Sequence, residues 1–495
     1  MAKILLINPV IRYQDKPRHV PYGLAQLSAI ILKEGHQLQV FDANAWRPTD
    51  NEIKSVLRAD KWDVIATGGL VTTYGFIKNL VKLAREESPS SLIVLGGGVI
   101  TPIPYDIMSF LPEVDVGVIG EGYVTFPEVL RRIDDGRNKW DDILGIIWRD
   151  SSGRNHLNTE RPLINDLDKL PFPAWDLFPV EIYFRGSSLL LSEEAMLSRK
   201  RLEIMCSYGC RFSCKFCFHL GLSGELTTKK RVDGDLDIFL THKRKVRAHS
   251  PEYVIALVKK AKDEFDIDFV VFLDENFAGL ARDKEWFDKF SLLWKQMGFQ
   301  PECVKQGREH DDSFCKGIHW GTTAHAAQVN MDLLNRLRSI GCSYLDYGLE
   351  SFSDKILKSL GKGSNSKKNE EAVVMTLKAG IRPIPNQIIG FPDESFESIK
   401  KSVKAWDRLG IQNYPFLATP YPGSEWYFTY KEKILEQYSG NLEEFLLDLA
   451  DATDITAVIS KNFNSVELLG LRELMVNRDV KRIEEYEKTR ERMGN

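Results

Sequence analysis

Four cysteines fall within twelve residues of this chain, and the spacing of three of them restricts what the segment can form. The segment reads Cys206-Ser-Tyr-Gly-Cys210-Arg-Phe-Ser-Cys214-Lys-Phe-Cys217, so it contains C-x3-C-x2-C directly after the predicted strand Leu202–Met205. Three thiolates on one short loop can bind three irons of a cubane cluster, which leaves the fourth iron without a protein ligand. A small chelating ligand needs such an open iron, and we therefore expect Cys210, Cys214 and Cys217 to bind a cluster.

Two simpler explanations of these cysteines fit the sequence less well. A zinc site usually uses paired C-x2–4-C knuckles, and Cys303 and Cys315 are too far apart in sequence to form a second knuckle. Cysteines that are merely buried would seldom lie together in a loop of glycine, serine and aromatic residues at a strand end. Cys206 lies outside the motif, and we expect it to pack in the strand or the loop.

The composition is that of an ordinary soluble globular protein. The 495 residues are 43% apolar and 27% charged, with a formal net charge of −4, and this length favours two or three domains. A slightly acidic chain gives no reason to expect a nucleic-acid partner. No apolar run approaches the roughly 20 residues of a membrane span, and the N-terminus lacks the pattern of a signal peptide. We therefore predict a cytoplasmic protein without a membrane span.

Residues 1–145 alternate apolar strands with amphipathic helices. Continuous apolar strands separated by helices indicate a parallel sheet covered on both faces, which is the pattern of a doubly wound, Rossmann-like domain. Ligands of such sheets bind at the carboxyl ends of the strands, where the glycine-rich turns Gly96–Gly98 and Gly120–Gly122 fall. The predicted strands are Lys3–Asn8, Leu38–Asp42, Val64–Gly68, Leu92–Leu95 and Val116–Ile119.

A second α/β pattern is predicted for residues 201–425. About six βα units fit a partial (β/α) barrel with its site at the carboxyl ends of the strands. Residues 146–200 are predicted to be a linker, because the prolines of Leu170–Trp175 prevent a regular helix. Residues 426–495 are predicted to be a mainly helical region. The strands of the second pattern are predicted at Leu202–Met205, Phe269–Leu273, His319–Thr322, Tyr344–Tyr347, Pro385–Ile389 and Asn413–Thr419.

The cysteine segment resembles the signature of the radical S-adenosylmethionine (SAM) superfamily, in which the three cysteines bind a [4Fe–4S] cluster. The resemblance implies that SAM occupies the open iron and that one electron from the cluster cleaves it to a 5′-deoxyadenosyl radical. It also places Phe216 against the adenine of SAM. Later strand ends are similar to the segments that line the SAM site in the superfamily, although an acidic residue there could instead cap the following helix. The implied contacts are Asp274, Glu275, Glu350 and Gly390.

The pairing of a doubly wound domain with this barrel resembles the cobalamin-binding class of radical SAM enzymes. The resemblance rests on Pro21–Leu24, Gly35–His36 and the glycine-rich turns. The motif D-x-H-x-x-G is missing, so the sequence offers cobalt no histidine as its lower axial ligand, and this class commonly lacks one. The alternative is a Rossmann-like domain that has lost its ligand. The implied cobalamin contacts are Tyr22, Gly23, Thr72, Thr73, Gly97, Gly98, Gly120, Glu121 and Gly122.

The resemblance implies a methyltransferase that methylates an unactivated carbon through methylcobalamin and the 5′-deoxyadenosyl radical. Length and layout are similar to those of the enzymes that C-methylate a glutamine of methyl-coenzyme M reductase, which would make a peptide or protein side chain the substrate. The class also contains cyclases and ring-rearranging enzymes that act on small molecules. A non-catalytic cobalamin or Fe–S sensor would need no acidic residues at a SAM site, so Glu350 favours an enzyme.

Substrate contacts are expected from the strands of the second domain. An electron donor such as flavodoxin or ferredoxin is the expected protein partner. The basic stretch Thr227–His249 is either a solvated loop or helix face, or a lid over a substrate phosphate or carboxylate. The candidate substrate residues are His319, Trp320, Thr322, Asn386, Gln387 and Tyr421.

Overall fold

The computed structural model describes residues 1–134, 139–186, 198–218, 224–231, 234–306 and 315–493, and it divides the chain into two compact units. The first unit comprises Met1–Leu191 and Phe218–His249, and the second comprises Ser192–Cys217 and Ser250–Asn495. The first unit therefore contains most of the predicted linker and also a segment that follows the cysteine motif.

The first unit is built on a seven-stranded sheet with the order β2-β1-β3-β4-β5-β6-β7. Strands β1 to β5 are parallel, as predicted, and β6 and β7 extend the sheet in antiparallel pairings. The parallel strands are almost wholly apolar because helices cover both of their faces. The strands are β1 Lys3–Asn8, β2 Gln37–Asp42, β3 Val64–Gly68, β4 Leu92–Gly96, β5 Val116–Val118, β6 Ile146–Arg149 and β7 Asn155–Leu157.

Helices follow the strands of this sheet and bury their apolar faces against it. One of them begins with a capping box, in which Thr49 and Glu52 satisfy each other's backbone N–H groups. The doubly wound α/β architecture is therefore confirmed. The helices of the first unit are Tyr22–Lys33, Ala43–Trp46, Asp50–Arg58, Tyr74–Glu87, Pro104–Phe110, Gly122–Asp134 and Val180–Phe184.

The segment predicted as a linker is packed into the first unit over its described residues. Trp175 is fully buried, and the Tyr183 hydroxyl donates a hydrogen bond to Asp42 at 2.7 Å. The Asn8 amide donates to Asp42 at 2.7 Å as well. The prolines of this segment prevent a regular helix, but they do not prevent its aromatic side chains from burial against a sheet.

The basic stretch forms an antiparallel hairpin, Gly224–Lys230 with Leu236–Arg244, so it is not the loop or helix face that the sequence suggested. The Arg231 guanidinium lies 2.6 Å from the Asp106 carboxylate, and the Ile238 N–H donates to the Pro102 carbonyl at 3.0 Å. These contacts hold the hairpin against the helix Pro104–Phe110 of the first unit.

The second unit contains a six-stranded parallel sheet whose strands are neighbours in the same order as in the sequence. Sequential parallel strands with intervening helices form the curled sheet of a partial (β/α) barrel, which confirms the predicted architecture. The strands are β8 Arg201–Ile204, β9 Phe269–Phe272, β10 His319–Ala324, β11 Cys342–Glu350, β12 Arg382–Ile389 and β13 Phe416–Leu417.

The residues after β13 are mainly helical, as predicted, and they belong to the same compact unit as the barrel. No helix within the described ranges is both long and apolar enough to cross a membrane. The barrel helices are Pro251–Phe265, Phe277–Ala281, Lys284–Gln296, Glu302–Lys305, Met331–Arg338, Asp354–Ser359, Ser366–Lys378 and Phe396–Leu409. The C-terminal helices are Glu425–Thr429, Lys431–Gln437, Leu442–Asp448, Ser465–Val476 and Val480–Met493.

The substitution Gly321→Ala tests the packing inside the barrel. A Cβ atom at this position would lie 1.9 Å from the Tyr344 ring, so we expect a loss of about 1–3 kcal/mol of stability from overpacking. Gly470→Ala is the matched control, because no atom lies within 4 Å of its added Cβ and alanine is favoured in a helix by about 0.5–1 kcal/mol. Thermal unfolding followed by circular dichroism should show a lower midpoint for the first variant and an equal or higher one for the second.

Candidate functional site

The three motif cysteines lie on the loop that follows β8, at the carboxyl ends of the barrel strands. Cys210, Cys214 and Cys217 are half-buried and are not joined in disulfides. The Cys217 N–H donates to the Cys214 carbonyl at 3.1 Å, and the Lys215 N–H donates to the Leu360 carbonyl at 3.0 Å. The loop is thus anchored to the turn at residues 360–363, with its thiols partly accessible.

A buried ion pair stands beside this loop. The Lys362 ammonium lies 2.8 Å from the Glu350 carboxylate, and both side chains are about nine-tenths buried. Burial alone would lower the pKa of Lys362, but Glu350 and the thiolates of Cys214 and Cys210 raise it on balance. A fixed cation next to the thiols suits a cluster held by thiolates, so the residues present fit the group that the motif implies.

Two glycines leave room for the ion pair and for the cysteine loop beside it. A Cβ on Gly348 would lie 2.5 Å from the Glu350 carboxylate and 2.8 Å from the Lys362 ammonium. Gly363 has a φ of +72°, and a Cβ there would lie 2.9 Å from the Phe212 ring. Only glycine leaves room for these contacts without displacing the loop.

His325 supports the loop from the other side. Its ring stacks on Phe212 with the centroids 3.5 Å apart, and its Nε2 lies 2.7 Å from the Lys362 carbonyl. Its Nδ1 accepts from the Ala327 N–H at 3.2 Å, so Nε2 is the donor. Burial and the charge of Lys362 lower the pKa of His325 to about 3, which keeps the ring neutral. In the sequence, this position ends the polar segment Trp320–His325 after a strand, which predicts a substrate contact or a surface-loop histidine and not a support for the loop.

Asp274 positions the start of the loop. Its buried carboxylate accepts from the Cys206 N–H at 3.0 Å and from the Ser207 hydroxyl. Burial raises the pKa of Asp274 to about 6, although these hydrogen bonds oppose the shift. Glu275 is partly exposed. Neither acid caps the following helix, because Asn276 takes that place through the Gly279 N–H.

Gly390 and Glu394 form a second buried turn at the carboxyl end of β12. Gly390 has a φ of +95°, and its N–H donates to Glu394 at 3.3 Å. The Ser398 hydroxyl donates to the same carboxylate. Burial raises the pKa of Glu394 to about 7 despite these hydrogen bonds. The carboxylate thus fixes the backbone around Gly390, a predicted SAM contact.

Phe216 lies between the ion pair and the C-terminal region. The Lys362 ammonium is 5.6 Å from the centre of the Phe216 ring, and the Trp426 ring is 5.7 Å away. The Trp426 N–H donates to the Lys215 carbonyl at 3.2 Å, and its ring packs edge-on against Phe391. The C-terminal region therefore completes the apolar surroundings of the loop, which the sequence resemblance did not indicate.

Of the six candidate substrate residues, Asn386 is placed on the inner face of the barrel. Its amide donates to the carboxylate of Asp346 on the neighbouring strand β11. Burial and the nearby Glu350 charge raise the pKa of Asp346 to about 7. Gln387 is fully buried and, because side chains alternate along a strand, lies on the opposite face from Asn386.

The polar groups of the other four candidates contact other parts of the second unit. Trp320 is buried in an aromatic cluster with Phe272, and its Nε1–H donates to the Ile340 carbonyl at 3.0 Å. The Thr322 hydroxyl donates to the Phe272 carbonyl, and the Tyr421 hydroxyl donates to the Ala450 carbonyl. His319 is the first residue of β10 and lies at the amino end of that strand, away from the cysteine loop.

The carboxyl edge of the first unit's sheet has the form expected for a large flat ligand. The strand order reverses between β1 and β3, and ligands of such sheets bind at this switch point. A Cβ on Gly68 would lie 2.7 Å from the Gly96 carbonyl, and one on Gly97 would lie 2.8 Å from the Gly69 carbonyl. The two turns thus meet backbone to backbone and leave Gly97 and Gly98 exposed. This surface without side chains fits the corrin ring of cobalamin.

The remaining predicted cobalamin contacts are distributed around this edge, and several have partners within the unit. The Glu121 carboxylate lies 2.6 Å from the buried Arg247 guanidinium and accepts from the Ile164 N–H. The Gly120 N–H donates to the Thr101 hydroxyl, and the Thr73 hydroxyl donates to the Leu70 carbonyl. Tyr22 is buried, whereas Thr72 and Gly122 are half-buried and Gly23 is exposed.

His36 accepts a hydrogen bond from the Ala2 N–H at 3.2 Å, next to the amino end of β1. That position is on the opposite edge of the sheet from the glycine turns. His36 is therefore not placed to reach a ligand there, which agrees with the lack of an axial histidine motif.

Comparisons with known proteins agree with both halves of this description. Residues 204–405 match the family model of the radical SAM superfamily, and residues 10–130 match that of the B12 binding domain. An uncharacterized methyltransferase of Pyrococcus horikoshii is 27% identical over 441 residues, which cover 88% of this chain and 84% of that protein. The cytidylyl-2-hydroxyethylphosphonate methyltransferase of Streptomyces wedmorensis is 23% identical, over 86% of this chain and 80% of the relative.

The fold is similar to that of a solved methyltransferase. The radical SAM methyltransferase TsrM from Kitasatospora setae, in a structure with cobalamin and a [4Fe–4S] cluster bound, superposes with a TM-score of 0.64 at 15% identity. The match covers 88% of this chain and 79% of TsrM.

The buried Glu394 should make the stability of the chain depend on pH. Its pKa is about 7 in the folded chain and 4.5 in the unfolded one, so the folded state holds the proton more tightly. Between pH 6 and pH 8 the unfolding free energy should therefore fall, by about 1 kcal/mol from this group. Glu394→Gln should reduce the loss in unfolding midpoint between these pH values, measured by differential scanning fluorimetry. An unchanged pH dependence would contradict the raised pKa.

Proposed function

Because the chain belongs to the cobalamin-dependent radical SAM enzymes, we propose that it methylates an unactivated carbon of its substrate with a methyl group from SAM. The observation that carries the proposal is the cysteine loop packed beside the buried Glu350–Lys362 pair at the carboxyl ends of the barrel strands. When bound, the cluster and SAM supply a radical that removes a hydrogen atom from carbon, and cobalamin carries the methyl group.

The chain's own residues hold and shield these groups. Cys210, Cys214 and Cys217 would bind three irons, and Lys362 would offset part of the negative charge of the thiolates. Asp274 and His325 fix the two sides of the loop through buried hydrogen bonds. Phe216 and the C-terminal aromatic residues around it exclude water from the space next to the loop, which protects a reactive radical from side reactions.

The proposed substrate contact is Asn386 together with Asp346. Their side chains form a polar pair on the inner face of the barrel, where both residues are only partly buried. A carboxylate and an amide can accept and donate at once, which suits a substrate that carries an amide or a hydroxyl group. A glutamine side chain of a peptide offers both groups, so a peptide substrate remains our proposal. A flavodoxin or ferredoxin is the proposed electron donor.

The proposed reaction can be tested before the substrate is known. The chain reconstituted anaerobically with iron, sulfide and cobalamin should hold about four irons and one cobalamin. With SAM and dithionite it should release 5′-deoxyadenosine, and label from methyl-labelled SAM should move to the bound cobalamin. Cys210→Ala should abolish the release, because one iron loses its ligand, whereas the control Cys342→Ala alters a core thiol and should retain it.

Each alternative outcome has its own meaning. Release of 5′-deoxyadenosine by Cys210→Ala would overturn the cluster assignment. A full complement of iron without bound cobalamin would leave a radical SAM enzyme and remove the methylation proposal. Once a substrate is found, a product heavier by one methylene supports methylation, while loss of hydrogen indicates a cyclase.

A further inference from the structure

A second group of metal-type ligands lies at the amino ends of the barrel strands, on the opposite edge of the sheet from the cysteine loop. It consists of Cys303, Cys315 and His319, whose ligand atoms all lie within 4.8 Å of one another. The sulfurs of Cys303 and Cys315 are 2.6 Å apart, and the His319 Nε2 lies 3.3 Å from the Cys315 sulfur. The cysteines excluded as a zinc knuckle by their spacing therefore meet in the fold.

From this juxtaposition we propose that Cys303, Cys315 and His319 bind a zinc ion, with a water molecule as its fourth ligand. Two thiolates and one imidazole are a common zinc-binding set. Ligands at ordinary zinc distances in tetrahedral geometry lie roughly 3.5–3.8 Å apart. The separation of Cys315 and His319 is near this range, and the two sulfurs would part by about 1 Å to reach it.

The backbone around the ligands is already organised. The Glu302 N–H donates to the Lys316 carbonyl at 2.8 Å, and the Ile318 N–H donates to the Phe299 carbonyl at 2.8 Å. Gly317 has a φ of +123°, and a Cβ there would lie 2.5 Å from the Pro301 Cα. These contacts fix the segments that carry Cys303 and Cys315 beside each other, so the ligands need little rearrangement to bind a metal.

The other hydrogen-bond contacts of the three ligand residues also suit a metal. The His319 Nδ1 lies 3.4 Å from the Ser343 hydroxyl, which leaves Nε2 to face the thiols. The Cys303 N–H donates to the Cys315 sulfur at 3.2 Å, a contact that favours a thiolate. Cys303 and His319 are 5% and 6% exposed, while Cys315 is half-buried.

The charge of the ligand set also suits a divalent metal ion. A divalent cation would balance two thiolates, so the bound site would carry no net charge.

A disulfide between Cys303 and Cys315 is the competing explanation. It would account for the two sulfurs but not for the imidazole that faces them. An enzyme with a solvent-accessible Fe–S cluster also works under reducing conditions, where disulfides are uncommon.

The test measures zinc and iron together in the full chain. After anaerobic purification and reconstitution of the cluster, so that zinc cannot occupy the cluster cysteines, mass spectrometry of metals should find about one zinc per chain. Cys315→Ser should lose the zinc and retain its iron and its SAM cleavage. Cys342→Ala, which alters a buried thiol outside the group, should retain both metals.

Zinc retained by Cys315→Ser, or no zinc in the wild-type chain, would overturn the proposal. So would an intact mass of the alkylated, denatured chain that shows Cys303 and Cys315 joined in a disulfide. If the variant does not fold, the wild-type chain loaded with Co²⁺ provides the second measurement. A thiolate-to-cobalt absorption band that disappears on adding zinc supports the site, and its absence contradicts it. Iron content and SAM cleavage are separate readouts, so failure here leaves the methyltransferase proposal intact.

Discussion

The arrangement of the barrel's carboxyl end depends on the buried ion pair between Glu350 and Lys362. Burying two charges is unfavourable unless each lies close to an opposite charge, and removing one of them leaves the other buried and unpaired. Glu350 adopts a φ of +60°, which is strained for a residue with a side chain. This backbone conformation turns its carboxylate toward Lys362. Gly348 leaves space for the pair, and Gly363 leaves space for Phe212 of the loop. The pair therefore fixes the turn at residues 360–363, and that turn supports the cysteine loop.

The same contacts explain why the loop can carry thiols that are only half-buried. The loop is tied through backbone hydrogen bonds to Leu360 on one side and to Trp426 on the other. His325 stacks beneath it, and Asp274 fixes its first residues. These contacts hold the loop rigidly, so the thiols can keep a constant spacing without being fully buried. A cluster that contacts both SAM and an electron donor needs such partly accessible ligands.

Sequence predicted the parts of this protein that depend on local patterns. The apolar runs that became β1, β3 and β9 predicted parallel strands, because a strand buried on both faces needs no polar residues. The cysteine spacing predicted the cluster loop, because its three ligands lie on one short segment. Trp320 illustrates the limit: a polar neighbourhood in sequence suggested a substrate contact, but strand alternation turned the indole into the helix-facing core.

Contacts between distant segments could not be predicted in the same way. Cys303 and Cys315 are twelve positions apart, and only the pairing of residues 299–302 with 316–318 brings their sulfurs together. Glu121 looked free to contact cobalamin at a glycine turn, but Arg247 of the basic stretch reaches it. In each case the partner comes from a segment later in the chain. Neither hydrophobic periodicity nor motif spacing predicts how such a segment packs.

Three carboxyl groups of the second unit lie in surroundings that are unfavourable for a charge. Asp274, Asp346 and Glu394 all have raised pKa values, chiefly because burial penalises their charged forms. Apolar residues of similar size would avoid this penalty. Asp274 and Glu394 instead lie just beyond the carboxyl ends of β9 and β12, where ligands of a barrel bind, and Asp346 lies midway along β11. Clusters of perturbed acids are typical of functional sites rather than of cores. The raised pKa values therefore indicate a functional site at the same edge of the barrel as the cysteine motif, and they do so independently of that motif.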